Sequence, residues 1–261
     1  MKIGIIGLGV VGKTILKAFK KLKNNCFGLD VHNLDEFENL LKVEIIYICL
    51  PTSHTKKGLN ISIIRNYLSK LDQNNYKGTI VIKSTLNPGD ISKFEKQFKK
   101  LGKRICHVPE FLRERCAYKD FTQNHDLLLI GSRDRMSIKR IIKNHGKFPK
   151  KIKIVNPAEA ELIKIYSNAY NAARVVFANS FFEICKTLKV NYKNVLEAYL
   201  LRDLSTGNYL SCNETLRGFG GKCLPKDLYA LDLIAKKKSK KVRFFENILK
   251  QNNVFKTTVM K

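Results

Sequence analysis

The chain has 261 residues, 44% hydrophobic and 27% charged, and 49 Lys and Arg against 22 Asp and Glu give a formal net charge of +27. That composition is expected of a soluble globular protein with ample length for a core, and no apolar run approaches the ~20 residues of a membrane helix. The charge invites a nucleic-acid reading, yet the lysines are spread along the whole chain, with dense spots only at Lys147–Lys153 and Lys236–Arg243; Ile, Asn and Lys are abundant together, so compositional bias explains them better than a phosphate-binding face.

In chain order, Lys2–Ile6 reads as a short apolar strand, followed by Gly7-Leu8-Gly9-Val10-Val11-Gly12 and a helix from about Val10 to Lys23. The apolar N-terminus is interrupted by glycines and leads into a lysine-rich helix, so a signal peptide is not expected and the expected compartment is the cytoplasm. Cys26–Leu29, Ile45–Leu50, Thr79–Ile82, Ile105–Val108 and Leu127–Ile130 read as buried strands of a parallel sheet. Between them, Ile61, Ile64, Leu68 and Leu71, and then Ile91, Phe94, Phe98 and Leu101, return to one face at helical spacing. Strands alternating with helices predict a Rossmann-type, doubly wound α/β domain over residues 1–155.

From residue 156 onward the pattern is all-α. Pro157 can open a helix that meets no glycine or proline until about Leu188, roughly 45 Å at 1.5 Å per residue. Its apolar residues, among them Leu162, Ile165, Tyr166, Ala169, Val176, Phe177, Phe181 and Ile184, cover more than one face, so it needs neighbours on several sides or a second copy of the chain. Helices near Tyr192–Leu201, Lys226–Lys237 and Phe244–Gln251 complete the 156–261 domain.

Seven cysteines are scattered without a Cys-x-x-Cys pair, which argues against a disulfide framework and against zinc; no metal is expected. Gly7, Gly9 and Gly12 fit the turn, the pyrophosphate approach and the helix–strand packing of a dinucleotide fingerprint. Asp30, ending the second strand, could accept hydrogen bonds from an adenosine ribose and would repel a 2′-phosphate, which favours NAD over NADP. Leu50-Pro51-Thr52 and Lys83-Ser84-Thr85 follow the third and fourth strands, at the edge where such sheets bind ligands, although each alone is equally an ordinary turn. Glu161, Lys164 and Asn168 share a helix stripe, either a solvated face or the wall of a cleft. Cys223, ahead of a helix with Pro225 in its first turn, is either a buried, inert thiol or a nucleophile favoured as thiolate by the helix end and a nearby ammonium. Asp227 either stabilises the helix start or orients a lysine or a water.

Taken with "KSTLNPGD" from Lys83, "VPEFLRERCAYKDF" from Val108, "AELIKIYSNAYNA" from Ala160 and "GFGGKCLPKD" from Gly218, the fingerprint resembles the UDP-glucose/GDP-mannose dehydrogenase family, and within it the bacterial UDP-glucose-oxidising type. The resemblance implies a nicotinamide domain and a central helical domain around the hydroxymethyl group of a nucleotide sugar, which is oxidised twice to a carboxylate. It implies NAD held by Gly7, Gly9, Val10, Val11, Gly12, Asp30, Pro51, Thr52, Ser84, Thr85 and Glu114. The sugar would be lined by Glu110, Phe111, Leu112, Arg113, Lys164, Asn168, Phe219, Gly220 and Cys223. It further implies that Cys223 captures the C6 aldehyde and carries a thioester, that Lys164 and Asn168 stabilise oxygen charge, that Asp227 places the lysine or hydrolytic water, and that Glu114 with Thr85 activates that water. Glu110 matches an acidic residue near the reacting centre.

Arg115 stands where many members have a small residue. The family also continues into a second α/β domain that closes over the nucleotide, whereas this sequence ends at Lys261 in what resembles the end of the central domain. The expectation is a short nucleotide-sugar 6-dehydrogenase, homodimeric through its long helix, with UDP-glucose favoured. GDP-mannose or another UDP-hexose is the alternative substrate. Half of a split enzyme, or a non-catalytic remnant binding NAD or a nucleotide sugar, is the alternative role.

Overall fold

The computed structural model describes residues 1–30, 37–56, 58–187, 189–201, 211–238 and 243–255. It divides into two compact units, one of residues 1–53 and 60–164, the other of residues 54–59 and 165–261. The expected division after residue 155 falls at the end of the last strand, and the first turns of the following helix, as far as Lys164, belong with the first unit.

In the first unit, β1 (Lys2–Ile6), α1 (Val10–Lys21), β2 (Asn25–Leu29), α2 (Phe37–Leu40) and β3 (Ile45–Ile48) open the fold. A small hairpin, β4 (His54–Thr55) with β5 (Gly58–Leu59), belongs to the second unit. The first unit resumes with α3 (Ser62–Gln73), β6 (Thr79–Ile82), α4 (Asp90–Gln97), β7 (Ile105–His107), α5 (Ala117–Thr122), β8 (Leu127–Gly131), α6 (Arg135–His145) and β9 (Lys151–Val155). The sheet order is β2-β1-β3-β6-β7-β8-β9.

The strands IIYI and TIVI carry no outward polar face because helices cover both sides of the sheet, and every residue in them is buried. One apolar cluster gathers Ile46, Ile48, Ile64, Leu68, Ile80, Ile91 and Phe94, and a second gathers Ile3, Ile5, Phe19, Tyr47, Val81, Phe121 and Ile141. The two sets come from alternate residues of the same strands, so the pleat sends them to opposite faces.

One expectation needs correction. The sheet is not wholly parallel: β8 runs antiparallel to β7, with His107 opposite Gly131, while all its other strand pairs are parallel. The apolar run Leu127–Ile130 announces a buried strand but carries no direction, because burial on both faces erases the alternation that separates the two kinds of sheet.

In the second unit, α7 (Pro157–Thr187) continues from the first, followed by α8 (Tyr192–Leu200), α9 (Leu224–Lys238) and α10 (Phe244–Asn252). Pro157 is the first residue of α7, where a missing N–H costs nothing. Ala169, Ala172 and Val176 form one stripe of α7, packed with Phe219, Leu228, Ile248 and Phe255. Another face leaves Leu162, Tyr166, Tyr170 and Phe177 at 46%, 71%, 56% and 63% exposure. Of the predicted apolar positions on this helix, the side chains of Phe181 and Ile184 lie outside the described residues.

Candidate active site

The glycine turn after β1 is built from the backbone outward. Gly7 sits at φ +88°, and its N–H donates to the Leu29 carbonyl at 2.8 Å. A Cβ on Gly12 would lie 1.9 Å from the Gly7 carbonyl oxygen, whereas a Cβ on Gly9 would meet nothing within 4 Å. So Gly12 is required by packing, and Gly9 keeps open the space in front of α1. That helix has no side-chain cap and no acid in its first turn, which leaves its N-terminal N–H groups to an anion. Asp30 accepts the Leu8 N–H at 3.2 Å, placing a carboxylate beside the turn. Val10 is exposed and Val11 half-buried at the start of α1.

The other strand ends converge on the same edge of the sheet. Ser84 Oγ donates to the Leu50 carbonyl at 2.6 Å and ties the turn after β6 to the turn after β3. Pro51 is exposed, while Thr52 and Thr85 are buried. Lys83 reaches Glu110 at 2.8 Å, and both side chains are buried. The Lys164 ammonium lies 5.5 Å from the centre of the Phe111 ring. Leu112 packs against the second apolar cluster. Arg113 puts its Nε and Nη2 on Asp120 at 2.9 and 2.8 Å, and this ion pair holds the Asp120 carboxyl down at about 2. The guanidinium thus shapes the loop that carries it. Glu114 is exposed and begins a short 3-10 turn, Glu114–Cys116.

The stripe on α7 is not a solvated face. Glu161 is fully buried, and its carboxylate accepts the N–H of Gly89 at 2.5 Å and of Ile91 at 2.8 Å, closing the start of α4. Burial nevertheless pushes its carboxyl up to about 7. One turn beyond Lys164, Asn168 is buried and donates from Nδ2 to the Asp227 carboxylate. Asp227 is fully buried, with the Lys226 ammonium 3.4 Å from its other oxygen.

Cys223 immediately precedes α9, and its carbonyl accepts the Asp227 N–H at 3.1 Å as the helix's first bond. That bond sets the backbone of Cys223 one helical turn before that of Asp227, with the thiol exposed and the carboxylate buried. Cys223 is exposed, unlike Cys106, Cys185 and Cys212, which are buried. Burial pushes the thiols of Cys26, Cys49 and Cys106 up to about 11, 12 and 12, away from the nucleophilic form.

The glycine-rich run before it is held by two amides that sequence reasoning did not find. Asn179 Oδ1 accepts the Gly218 N–H at 3.1 Å and Arg217 Nε at 2.9 Å. Asn252 binds Phe219 at both its N–H and its carbonyl. Phe219 is buried and Gly220 half-buried. Nothing in the sequence links residues more than 30 positions apart, so these partners carried no signal. Lys83 had one: a lysine directly continuing an apolar strand is a charge about to be buried.

A doubly wound sheet with an open glycine turn defines a dinucleotide-binding protein, and the helical unit adds an exposed cysteine and a buried Asn–Asp pair. The chain belongs to the UDP-glucose/GDP-mannose dehydrogenase family: residues 32–148 match its NAD binding domain and residues 158–254 its central domain. NAD is therefore the cofactor of the first unit, and the open space at Gly9 fits its pyrophosphate. The chain is 27% identical to the UDP-glucose 6-dehydrogenase of Rickettsia prowazekii over 84% of its own length and 51% of the relative's. It is 30% identical to the GDP-mannose 6-dehydrogenase of Azotobacter vinelandii over 74% of its length and 47% of the relative's. A UDP-glucose dehydrogenase from Pyrobaculum islandicum superposes with a TM-score of 0.85 at 22% identity, covering 97% of this chain and 68% of that one, which shows the shared fold. The chain spans about half the length of the curated relatives it matches. Among the described residues, no helix is long and apolar enough to cross a membrane and no cluster of His, Cys, Asp and Glu could hold a metal.

Proposed function

We propose that the chain is an NAD-dependent nucleotide-sugar 6-dehydrogenase that carries UDP-glucose to UDP-glucuronate by a four-electron oxidation through Cys223. The observation that carries this reading is the exposed Cys223 thiol directly before α9, a helix whose first turn holds the Asp227 carboxylate, buried and bonded to Asn168.

Cofactor contacts come from the Gly7–Gly12 turn, Asp30, and the strand-end residues Pro51, Thr52, Ser84 and Thr85. NAD, when bound, supplies a hydride acceptor at C6 of the sugar, once for the alcohol and once after the thiol has added. Cys223 bonds to the aldehyde carbon as a thiohemiacetal, and the later loss of hydride leaves a thioester. Lys164 and Asn168 stabilise negative charge developing on the C6 oxygen. Asp227 orients the lysine or the hydrolytic water. Glu114 with Thr85 draws a proton from that water as its oxygen bonds to C6; the C–S bond then breaks, releasing the uronate and returning the thiol. Glu110, Phe111, Leu112 and Arg113, with Phe219 and Gly220, border the hexose. The resemblance to a GDP-mannose enzyme keeps that sugar nucleotide, or another UDP-hexose, as the alternative substrate.

The exposed apolar face of α7 supports a homodimer formed along this helix, and a cytoplasmic location belongs to the same reading. The test is NADH formed per mole of limiting UDP-glucose by the purified chain and by Cys223→Ser. Two NADH per sugar, absent in the variant, is the expected result; no NADH with UDP-glucose or GDP-mannose would overturn activity of this chain by itself. Because the chain spans about half its relatives, a second reading is a split enzyme, recognised by turnover only when a separate chain supplies the remainder.

A further inference from the structure

Lys83 has no part in the chemistry set out above, yet it is paired with Glu110, which borders the proposed hexose site, and both are built into the same strand ends. Lys83 directly follows β6, and Glu110 stands three residues beyond β7, its parallel neighbour. The two side chains meet at 2.8 Å with exposures of 2% and 9%. The other carboxylate oxygen of Glu110 accepts the Phe111 N–H at 3.2 Å, so the carboxylate also fixes the first residue of the Phe111–Arg113 loop. Near the pair, burial drives one thiol and two imidazoles toward their neutral forms. Burial pushes the Cys49 thiol up to about 12, drops His107 to about 3 and lowers His125. His107 gives no alternative counter-charge, because burial lowers it by more than the Ser84 carbonyl, 3.2 Å from its Nε2, raises it. A buried ion pair contributes little net stability, since desolvation offsets the attraction. What this one provides is geometry.

We propose that Lys83 is a positioning residue: its ammonium holds the Glu110 carboxylate in one orientation, and through it the Phe111–Arg113 loop, so that the candidate substrate-lining segment is fixed before any sugar arrives. The inference rests on the enzymatic reading above and adds to it a residue acting through Glu110. Without the ammonium, Glu110 is left as a buried, unpaired charge that either takes up a proton or turns toward solvent, and in both cases the orientation that holds the Phe111 N–H is no longer fixed.

The test uses the full chain as Lys83→Met, Glu110→Gln and the double variant. Hydrogen exchange read by mass spectrometry reports the loop without requiring turnover, and steady-state rates with UDP-glucose report the reaction. Lys83→Met is expected to speed exchange of the 108–116 segment about tenfold, with peptides from β1 and α1 unchanged. It is expected to lower kcat about 100-fold with KM altered less than about threefold. The double variant should be no slower than Glu110→Gln alone, because Lys83 acts only through that carboxylate. Unchanged exchange at 108–116, acceleration spread over the whole unit, an unaltered kcat in an active parent, or a further drop in the double variant would each overturn the proposal. Local acceleration in a parent that has no turnover would sustain the positioning role and overturn only the enzymatic reading.

Discussion

Asn252, in the last turn of α10, closes both ends of its amide on the backbone of Phe219: its Oδ1 accepts the Phe219 N–H at 2.8 Å and its Nδ2 donates to the Phe219 carbonyl at 3.0 Å. A side chain thus completes the hydrogen bonding of one loop residue as a neighbouring strand would. Both partners are buried, so truncation strands an N–H and a carbonyl away from water. Asn252→Ala is expected to lower the unfolding free energy by about 2–4 kcal/mol, read from urea melts. A loss below about 0.5 kcal/mol would mean that water replaces the amide freely.

The two inner glycines of the first turn make opposite demands. Gly12→Ala drives a methyl into the Gly7 carbonyl, a contact no rotamer relieves, and is expected to lower thermal stability and abolish NAD binding together. Gly9 has φ −71°, which alanine adopts, and open space where the methyl would go. Gly9→Ala should leave the melting temperature within about 2 °C of the parent and still weaken NAD at least about tenfold by calorimetry. Equal affinity in Gly9→Ala and parent would place the pyrophosphate elsewhere.

How much of this was legible depended on range. The strand–turn–helix at the N-terminus, the helical spacing around Ile64 and Leu68, and the start of α7 at Pro157 are local patterns, and the structure reproduces them. The site residues of the first unit stand at strand ends, which the alternation of strands and helices already located. Direction and long-range pairing were not legible. The reversal at β8, the attachment of the His54–Leu59 hairpin to the helical unit, and the Asn179 and Asn252 clasps all join segments whose partners leave no periodicity behind. Glu161 shows the same limit from the other side: its spacing placed it on one stripe with Lys164 and Asn168, but its carboxylate turns to the start of α4.

Cys223 is set apart from the other thiols by exposure, and chemical modification reads that difference directly. At neutral pH, limiting iodoacetamide is expected to alkylate Cys223 at least about tenfold faster than Cys26, Cys49 or Cys106, whose thiols burial holds protonated. Peptide mapping by mass spectrometry identifies the modified residue, since all seven cysteines differ in sequence context. Prior labelling of Cys116 or of a buried thiol would show that access to Cys223 is closed in solution.

Glu161 gives the fold a pH dependence of unusual sign. Its carboxyl titrates in the folded chain at about 7 against an ordinary 4.5, chiefly because burial penalises the charge more than the Gly89 and Ile91 N–H groups reward it. The folded state therefore holds this proton over a range in which the unfolded chain has released it, and stability from this group falls as pH rises from 4.5 to about 7. Above that range the penalty is constant. Glu161→Gln removes the titration, although its amide offers one acceptor oxygen where the carboxylate gives each N–H its own. The parent's urea midpoint should decline between about pH 5 and 7 relative to that of Glu161→Gln, so that the two curves converge or cross toward neutrality. Parallel curves over the same range would show that the two N–H bonds already keep the carboxylate ionised, and that the junction of α7 with α4 is indifferent to pH.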